Sequence, residues 1–189
     1  MPELKRRLFV GIALDQVSRT KCCAVAGALR ATGFAARYEG GDKLHVTLAF
    51  LGNVAASHYD SIGESLAQSA RGCAPLTLQL DKIGAFPNER RPRVVYIGSR
   101  AQGPAYRALA SGVRSAYARL GFSFKEDPVA HVTIARAKEA SRPLPLLEVT
   151  PIALAVTAIS LFESIFDPKA KTSRYEILER APVGGTSEA

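Results

Sequence analysis

Residues 44–52 read LHVTLAFLG and residues 131–138 read HVTIARAK, and each stretch contains the same short motif. The two copies, HVTLA at 45–49 and HVTIA at 131–135, match at four of five positions and differ only by Leu against Ile. Two of the chain's three histidines stand in these copies. Two His-x-Thr pairs among three histidines arise in about 1 in 150 shuffled chains, so the repeat is a specific signal.

Each copy lies in an apolar stretch rich in β-branched residues, which predicts a strand. On a strand, residues two apart face the same side. His45 therefore projects beside Thr47, and His131 projects beside Thr133. The apolar residues between them face the other side and anchor each strand. If the two strands meet at a cleft, that cleft receives two imidazoles and two hydroxyls.

Two imidazoles and two hydroxyls suit an anionic, tetrahedral phosphate. Hydroxyls donate hydrogen bonds to phosphate oxygens. One imidazole takes a proton from an attacking water while the other gives a proton to the leaving oxygen. Because histidine titrates near pH 6.5, both roles are available at neutral pH. The scheme needs no metal and no cofactor, and we predict that the protein uses none.

Other interpretations of the histidines are weaker. A single histidine on a strand is more often a surface or packing residue, and threonine is common in strands for steric reasons. Two histidines without Asp, Glu or Cys at ligand spacing fall short of the three protein ligands of a catalytic zinc site. The third histidine, His58, has no threonine partner and is interpreted as a surface residue. The chain contains no glycine-rich phosphate-binding loop.

The composition is that of a globular domain. Of 189 residues, 47% are apolar and 22% are charged, and the net charge is +8. This positive charge favours a polyanionic partner such as RNA or a nucleotide. No apolar run approaches the roughly 18 residues of a membrane span, so we expect no membrane association. Three cysteines, two of them adjacent, fit no disulfide or metal pattern and predict reduced thiols in a cytoplasm.

Apolar periodicity predicts helices at 15–32, 56–72 and 104–120, with Ser57 a candidate cap of the second and Pro104 suited to the first turn of the third. Hairpin-like neighbouring strands favour antiparallel pairing and the α+β class over a doubly wound parallel sheet. We expect one domain over residues 1–182 and a flexible tail at 183–189. Strands are predicted at 7–14, 44–52, 76–86, 93–99, 131–138, 153–164 and 173–180.

The paired His-x-Thr-apolar motifs resemble those of the two-histidine (2H) phosphoesterase superfamily. Within it, the chain is similar to the RNA 2′,3′-cyclic phosphodiesterases, also named 2′-5′ RNA ligases. RLFVGIAL (7–14) resembles the family's opening strand, RPRVVYIG (91–98) its central strand, and LFESIFDPKAKTSRYEILER (161–180) its closing hairpin. The resemblance thus covers nearly the whole chain. FAARYEGGDK (34–43), before the first motif, lacks the Trp that is common in relatives.

This resemblance implies a bilobal α+β fold, in which two pseudo-symmetric lobes of antiparallel sheet and helices surround a central groove. It implies metal-independent hydrolysis of a 2′,3′-cyclic phosphate at an RNA end to a 2′-phosphate, by a protein that we expect to be a monomer. Carried over to this sequence, His45 is the proton donor to the departing 3′ oxygen and His131 is the acceptor that activates water. Thr47 and Thr133 hold the phosphate. Arg136 stands at the family's arginine position, where it adds charge to the phosphate site or is a solvated strand-end residue.

Three further residues are candidates for contacts with the substrate. Phe50 and Tyr96 are candidates to stack on a nucleobase, as aromatic rings do in single-stranded RNA recognition. Because Phe50 is an odd number of residues from His45, a regular strand predicts core packing for it instead. Arg93 is either a phosphate contact or a solvated residue at a strand end.

Two other kinds of function compete with hydrolysis of RNA ends. The same site suits another cyclic nucleotide or a 2′-5′ linkage, with reversible 2′-5′ ligation, because an acid and a base act in both directions. An RNA-binding module without catalysis is less favoured, since binding needs charge and stacking rather than a duplicated titratable pair. Dependence on substrate length separates the enzymes, and tolerance of substitutions at both histidines identifies a binding module.

Overall fold

The computed structural model describes residues 4–125, 128–138 and 142–184. In this part of the chain, eight strands form one antiparallel sheet and two more form a separate ribbon, and three helices pack on them. The predicted α+β class is therefore confirmed, whereas the bilobal arrangement stays a prediction. None of the helices in the described ranges combines the length and apolarity needed to cross a membrane.

The helices are α1 (Gln16–Ala31), α2 (Tyr59–Arg71) and α3 (Pro104–Ala118). The strands are β1 (Lys5–Ala13), β2 (Ala36–Tyr38), β3 (His45–Ala55), β4 (Leu76–Leu80), β5 (Lys82–Phe86), β6 (Val94–Gly98), β7 (His131–Ala137), β8 (Ile152–Val156), β9 (Ala158–Asp167) and β10 (Thr172–Pro182). The large sheet has the order β10-β9-β1-β3-β7-β6-β5, with β2 also paired to β7, and the ribbon consists of β4 and β8.

The helix starts follow their capping residues. The Asp15 side chain accepts a hydrogen bond from the Ser18 backbone nitrogen at 2.7 Å and so caps α1. Pro104 occupies the first turn of α3, as predicted. The prediction that Ser57 caps α2 is wrong, because residues 56–58 form a 3₁₀ turn that delays the helix to Tyr59.

Two stretches that were predicted as single strands each contain two. Residues 76–86 divide at Asp81, whose carboxylate accepts a hydrogen bond from the Arg100 backbone nitrogen at 2.8 Å. Residues 153–164 divide at Thr157. In each case one residue between strands carries the chain from the ribbon to the large sheet. The periodicity of apolar residues does not distinguish two strands separated by one residue from a single longer strand. The strand β2 was not predicted from the sequence, because its three residues are too few to show any periodicity.

The last described residues are packed against the domain. Val183 is buried, and its backbone nitrogen donates to the Thr157 carbonyl oxygen at 3.0 Å. The Gly184 nitrogen donates to the Ala70 carbonyl oxygen at 3.2 Å. These two residues differ from the flexible tail that was predicted to start at residue 183, because their backbone hydrogen bonds are made within the fold. Residues 185–189 of that predicted tail lie outside the described residues.

The two motif strands, β3 and β7, are neighbours at the centre of the large sheet. They pair in antiparallel register at Val46 and Val132, and both valines are fully buried. Away from this pair, β3 runs along β1, whereas β7 runs along β6 and β2. The two motifs are thus held side by side while the rest of each strand has different partners.

A β-bulge interrupts β3 within the first motif, directly after Thr47. The register against β1 skips Leu48, so that this residue is extra. Leu48 and Ala49 are both buried, whereas a regular strand would turn one of them to the other face. The bulge shifts the alternation by one residue, which brings Phe50 onto the face that carries Thr47.

Gly11 lets β1 approach the first motif strand closely. A Cβ atom at this position would lie 2.6 Å from the Val46 carbonyl oxygen. We expect Gly11→Ala to lower the free energy of unfolding by about 1–3 kcal/mol, the usual cost of overpacking. Urea unfolding of the variant and the parent protein measures this difference.

Gly27 provides the matched control, because it lies within α1 and an added Cβ atom has nothing within 4 Å. Gly27→Ala should raise the free energy of unfolding by about 0.5–1 kcal/mol, since alanine is the better helix former. If the Gly11→Ala protein were as stable as the parent, the close approach of β1 to β3 would be contradicted.

Candidate active site

A cavity of about 860 Å³ opens on the face of the sheet that carries the motif side chains. The sequence predicted five site residues, and all five line this cavity: His45, Thr47, His131, Thr133 and Arg136. They come from two strands that are distant in sequence and adjacent in the sheet. The fold therefore brings the predicted residues together.

The two motifs are arranged diagonally. Because their central valines pair with each other, the same antiparallel register sets His45 across from Thr133 and Thr47 across from His131. Each imidazole has one hydroxyl on its own strand and one on the neighbouring strand. This arrangement puts the two proton-transfer groups on opposite sides of a group that binds between the hydroxyls.

Both imidazole rings are held in the same way. Nδ1 of His45 lies 2.7 Å from the Lys43 carbonyl oxygen, and Nδ1 of His131 lies 2.7 Å from the Val129 carbonyl oxygen. A carbonyl oxygen only accepts, so Nδ1 carries the hydrogen in both rings and Nε2 exchanges protons. In His45, Nε2 lies 3.1 Å from the Thr47 hydroxyl, which donates to it when the ring is neutral.

Three aromatic rings surround His45. The centroid of its imidazole lies 4.7 Å from that of Phe9, 5.0 Å from that of Tyr175 and 5.7 Å from that of Phe162. These rings come from β1, β10 and β9, the three strands that lie beyond β3. They form an apolar wall that shields the imidazole from water.

Burial is the main influence on both imidazoles, and it lowers the pKa of each below the ordinary value. For His45, the hydrogen bond to the Lys43 carbonyl raises the pKa, the charge of His131 lowers it, the Glu39 carboxylate raises it and the Arg136 charge lowers it. For His131, the hydrogen bond to the Val129 carbonyl raises the pKa and so opposes the effect of burial. Charged neighbours therefore act on His45 in both directions, whereas burial and one backbone hydrogen bond shift the pKa of His131.

Two aromatic residues support His131 from the side. Its ring lies edge-on to Phe86 at 5.2 Å and to Tyr96 at 5.3 Å, measured between centroids. Tyr96 is only 6% exposed and stacks on Phe86. Tyr96 is thus a packing partner of the histidine, and the prediction that it stacks on a nucleobase has no support in its burial.

Phe50 lies on the cavity wall and is 47% exposed. The predicted core packing of Phe50 is wrong, because the bulge at Leu48 reverses the side to which it points. The Arg7 guanidinium lies 4.9 Å from its ring centroid. An exposed ring beside a cation is the kind of surface on which nucleobases stack.

Arg136 reaches the cavity and forms an ion pair there. Its Nε donates to the Glu39 carboxylate at 3.1 Å, and the same carboxylate lies 3.8 Å from Arg37. Arg37 and Glu39 line the cavity as well, although the sequence did not identify either of them. Arg37 belongs to β2, where it pairs with Arg136, and Glu39 follows directly after this strand. No local pattern signals this proximity, since it depends on the long-range register of β2 and β7.

The cavity is strongly cationic. One carboxylate, that of Glu39, faces six positively charged side chains. These cations are dispersed along the sequence, and the fold gathers them around the two motifs, where they attract anions. They are Arg7, Arg37, Lys43, Arg114, Arg136 and Lys171.

Two other residues that the sequence analysis considered, His58 and Arg93, lie outside the cavity. His58 is exposed in the 3₁₀ turn before α2, which confirms that it is a surface residue. Arg93 is exposed before β6 and does not line the cavity. Among the residues that the structure describes, no three His, Cys, Asp or Glu side chains are grouped so as to hold a metal ion.

Known proteins resemble this chain in sequence and in fold. A family described as LigT like phosphoesterase matches residues 22–96. The RNA 2′,3′-cyclic phosphodiesterase of Archaeoglobus fulgidus is 35% identical over 132 residues, which are 70% of this chain and 73% of that protein. The protein of the same name from Thermotoga maritima is 26% identical over 166 residues, 86% of this chain and 88% of that protein.

The structural similarity extends over most of the chain. The crystal structure of E. coli LigT complexed with NADP+ matches with a TM-score of 0.79 and 30% identity, covering 96% of this chain and 100% of that chain. Together with the sequence matches and the paired motifs, this likeness establishes that the chain belongs to the LigT-like phosphoesterase family of the two-histidine phosphoesterase superfamily.

Proposed function

We propose that this protein hydrolyses 2′,3′-cyclic phosphates at RNA ends to 2′-phosphates, by general acid and base catalysis that needs no metal. The observation that carries the proposal is the diagonal placement of two His–Thr pairs in one cationic cavity. The name of the relatives, RNA 2′,3′-cyclic phosphodiesterase, supports the same substrate class. An anionic substrate also fits the excess of cations.

The reaction is a displacement at phosphorus. Nε2 of His131 takes a proton from a water molecule as its oxygen attacks the phosphorus atom. The bond from phosphorus to the 3′ oxygen breaks, and Nε2 of protonated His45 gives its proton to that oxygen. The phosphate stays on the 2′ oxygen. Thr47 and Thr133 donate to the non-bridging oxygens, and Arg136 offsets the negative charge that develops there.

The hydrogen bond between His45 and Thr47 links proton transfer to phosphate binding. In the neutral ring, Nε2 accepts the hydrogen of the Thr47 hydroxyl. Protonation turns Nε2 into a donor. The threonine hydrogen is then released and becomes available to the phosphate. The state that is ready to donate a proton is therefore also the state that binds the anion best.

We assign the donor role to His45 and the acceptor role to His131, as the resemblance to the two-histidine family implies. The Glu39 carboxylate favours this assignment, because it raises the pKa of His45 and so favours the protonated form that a general acid requires. Burial and the charges of His131 and Arg136 act in the opposite direction, since each of them lowers the pKa of His45.

Substitution of either histidine tests the mechanism. We expect His45→Ala and His131→Ala each to lower kcat by about 10²–10⁴-fold, the usual contribution of a general acid or base. The assay is hydrolysis of an RNA oligonucleotide with a 2′,3′-cyclic phosphate end in EDTA, with the product end mapped as 2′- or 3′-phosphate.

His58→Ala is the matched control, because it removes the one exposed histidine outside the cavity and should leave turnover unchanged. Near-normal turnover by either motif variant, or loss of activity in EDTA, would contradict the mechanism. Turnover confined to small cyclic nucleotides or 2′-5′-linked dinucleotides would assign the site to those substrates instead.

The pH dependence follows from the burial of the two rings. Because the donor must be protonated and the acceptor neutral, kcat/KM should be bell-shaped. Burial lowers the pKa of His45 and of His131 below about 6.5, so the maximum of kcat/KM should lie on the acid side of this value. A bound phosphate raises both pKa values, so kcat should peak at a higher pH than kcat/KM. A kcat/KM maximum above pH 6.5 would contradict the assignment.

Glu39→Gln tests which histidine donates the proton. The substitution removes the negative charge that raises the pKa of His45, so the alkaline limb of the kcat/KM profile should move to lower pH. Glu64→Gln removes the same charge from an exposed position on α2 and should leave both limbs in place. An alkaline limb that does not move in the Glu39→Gln protein would show that another group is the donor.

A further inference from the structure

The cavity holds more positive charge than the reacting group requires. A 2′,3′-cyclic phosphodiester carries a single negative charge, and Arg136 already stands beside the motifs that bind it. Arg37, Lys43 and Lys171 line the cavity in addition. On the basis of the proposed function, we propose that these three cations form a second anion subsite, which binds the 5′-phosphate of the nucleotide that carries the cyclic phosphate.

Two hydrogen bonds join the elements that form this subsite. Lys43 Nζ donates to the Thr172 hydroxyl at 2.8 Å, and Arg37 Nη1 donates to the Lys171 carbonyl oxygen at 3.4 Å. Both bonds connect the segment before β3 to the hairpin of β9 and β10. The side chains of Lys43 and Arg37 are therefore held in place before a ligand arrives, which reduces the entropy cost of binding. Because Thr172 accepts from Lys43, its own hydrogen remains for an anion.

The turn between β9 and β10 has an uncommon backbone conformation at this position. Lys171 has a φ of 51°, in the left-handed region that residues other than glycine rarely adopt. The preceding turn is closed by Asp167, whose carboxylate accepts from the backbone nitrogens of Lys169 and Ala170 at 2.8 and 3.1 Å. Such conformations persist where surrounding contacts impose them, often at binding sites. Here the conformation presents the Lys171 carbonyl to Arg37.

Glu39 places two arginines next to each other. Arg136 on β7 and Arg37 on β2 are directly paired residues of neighbouring strands. Both approach the Glu39 carboxylate, at 3.1 and 3.8 Å, which reduces the repulsion between them. Arg136 shares its strand with the second motif and lies with the reacting phosphate. Arg37 is one strand further out, in position for the adjacent phosphate of the substrate.

The cations elsewhere in the cavity are arranged differently. Arg7 lies over the Phe50 ring at 4.9 Å, and Arg114 lies over the Phe124 ring at 5.3 Å. Guanidinium groups on aromatic faces extend a flat surface that suits stacking on a nucleobase. The side with Arg37 instead offers hydrogen-bond donors tied to backbone and hydroxyl oxygens, which suits a phosphate.

The 5′-phosphate can belong to a mononucleotide or to an internucleotide linkage, and four substrates separate these sources. They are adenosine 2′,3′-cyclic phosphate, its 5′-phosphorylated form, the adenylyl-adenosine dinucleotide with a 2′,3′-cyclic phosphate, and that dinucleotide with an uncharged methylphosphonate linkage. The two dinucleotides differ only in the charge of the linkage. Within each pair, the kcat/KM of the substrate with the additional phosphate charge is divided by the kcat/KM of its partner without that charge. This ratio cancels the effects on the chemical step that the two substrates share.

For the parent protein, we expect the charged dinucleotide to exceed the methylphosphonate by roughly 10- to 100-fold in kcat/KM, as charge-assisted hydrogen bonds predict. The slope of log kcat/KM against log salt should be steeper by about 0.7 for the charged dinucleotide. A higher kcat/KM for the 5′-phosphorylated mononucleotide than for adenosine 2′,3′-cyclic phosphate shows that a terminal phosphate suffices. A higher kcat/KM for the charged dinucleotide alone, relative to its methylphosphonate partner, assigns the subsite to the internucleotide linkage. A parent ratio near one for both pairs overturns the subsite.

Arg37→Gln and Lys43→Gln should each reduce the ratio of kcat/KM between the charged dinucleotide and the methylphosphonate, either about tenfold or to near one. Arg71→Gln is the matched control, because it removes the same charge from an exposed site at the end of α2, outside the cavity, and should keep the full ratio. A ratio that survives both cavity substitutions overturns the proposal.

The subsite and the proposed function fail in distinguishable ways. If the parent protein hydrolyses all four substrates with equal kcat/KM, the function stands and the subsite is rejected. If it hydrolyses none, the function is rejected, and calorimetric Kd values for the two dinucleotides test the subsite by themselves. A tighter Kd for the charged linkage that disappears in Arg37→Gln then supports the subsite, and equal Kd values overturn it.

Discussion

The antiparallel contact between Val46 on β3 and Val132 on β7 is the constraint on which the active site depends. Both side chains are fully buried, so the core fixes the register of the two strands. Because side chains alternate along a strand, a shift of one residue would turn the histidine and threonine of one motif into the core. The two valines take no part in the chemistry, yet they determine whether four polar side chains meet at one cavity.

The electrostatics of this cavity balance opposing influences. Burial among Phe9, Phe162 and Tyr175 drives His45 toward its neutral form, and the Glu39 carboxylate and the Lys43 carbonyl act against it. An anionic substrate acts in the same direction as the Glu39 carboxylate and the Lys43 carbonyl, because a negative charge favours the imidazolium ion. The arrival of the substrate thus favours the protonated donor that the reaction requires, whereas burial in the empty cavity favours the neutral form of both histidines.

The sequence contained the chemistry of the site but only part of its geometry. Strand periodicity was sufficient to place His45 beside Thr47 and His131 beside Thr133, because that rule is local. It failed at Phe50, since the bulge at Leu48 exists only in relation to the pairing of β3 with β1. Glu39 and Arg37 were missed for a related reason. They approach Arg136 only through the pairing of β2 with β7, and three-residue strands leave no periodic signal.

The order of strands in the large sheet has a consequence for how the protein acquires its activity. The strand β1 pairs with both β3 and β9, and β3 meets β7, so nearly every contact that encloses His45 joins segments far apart in the chain. Closing such long loops costs conformational entropy before any contact is gained, and sheets of this kind fold slowly. The C-terminal hairpin supplies Tyr175 and Phe162 to the wall of the cavity. During synthesis, a nascent chain that has not yet released this hairpin therefore lacks a complete catalytic centre.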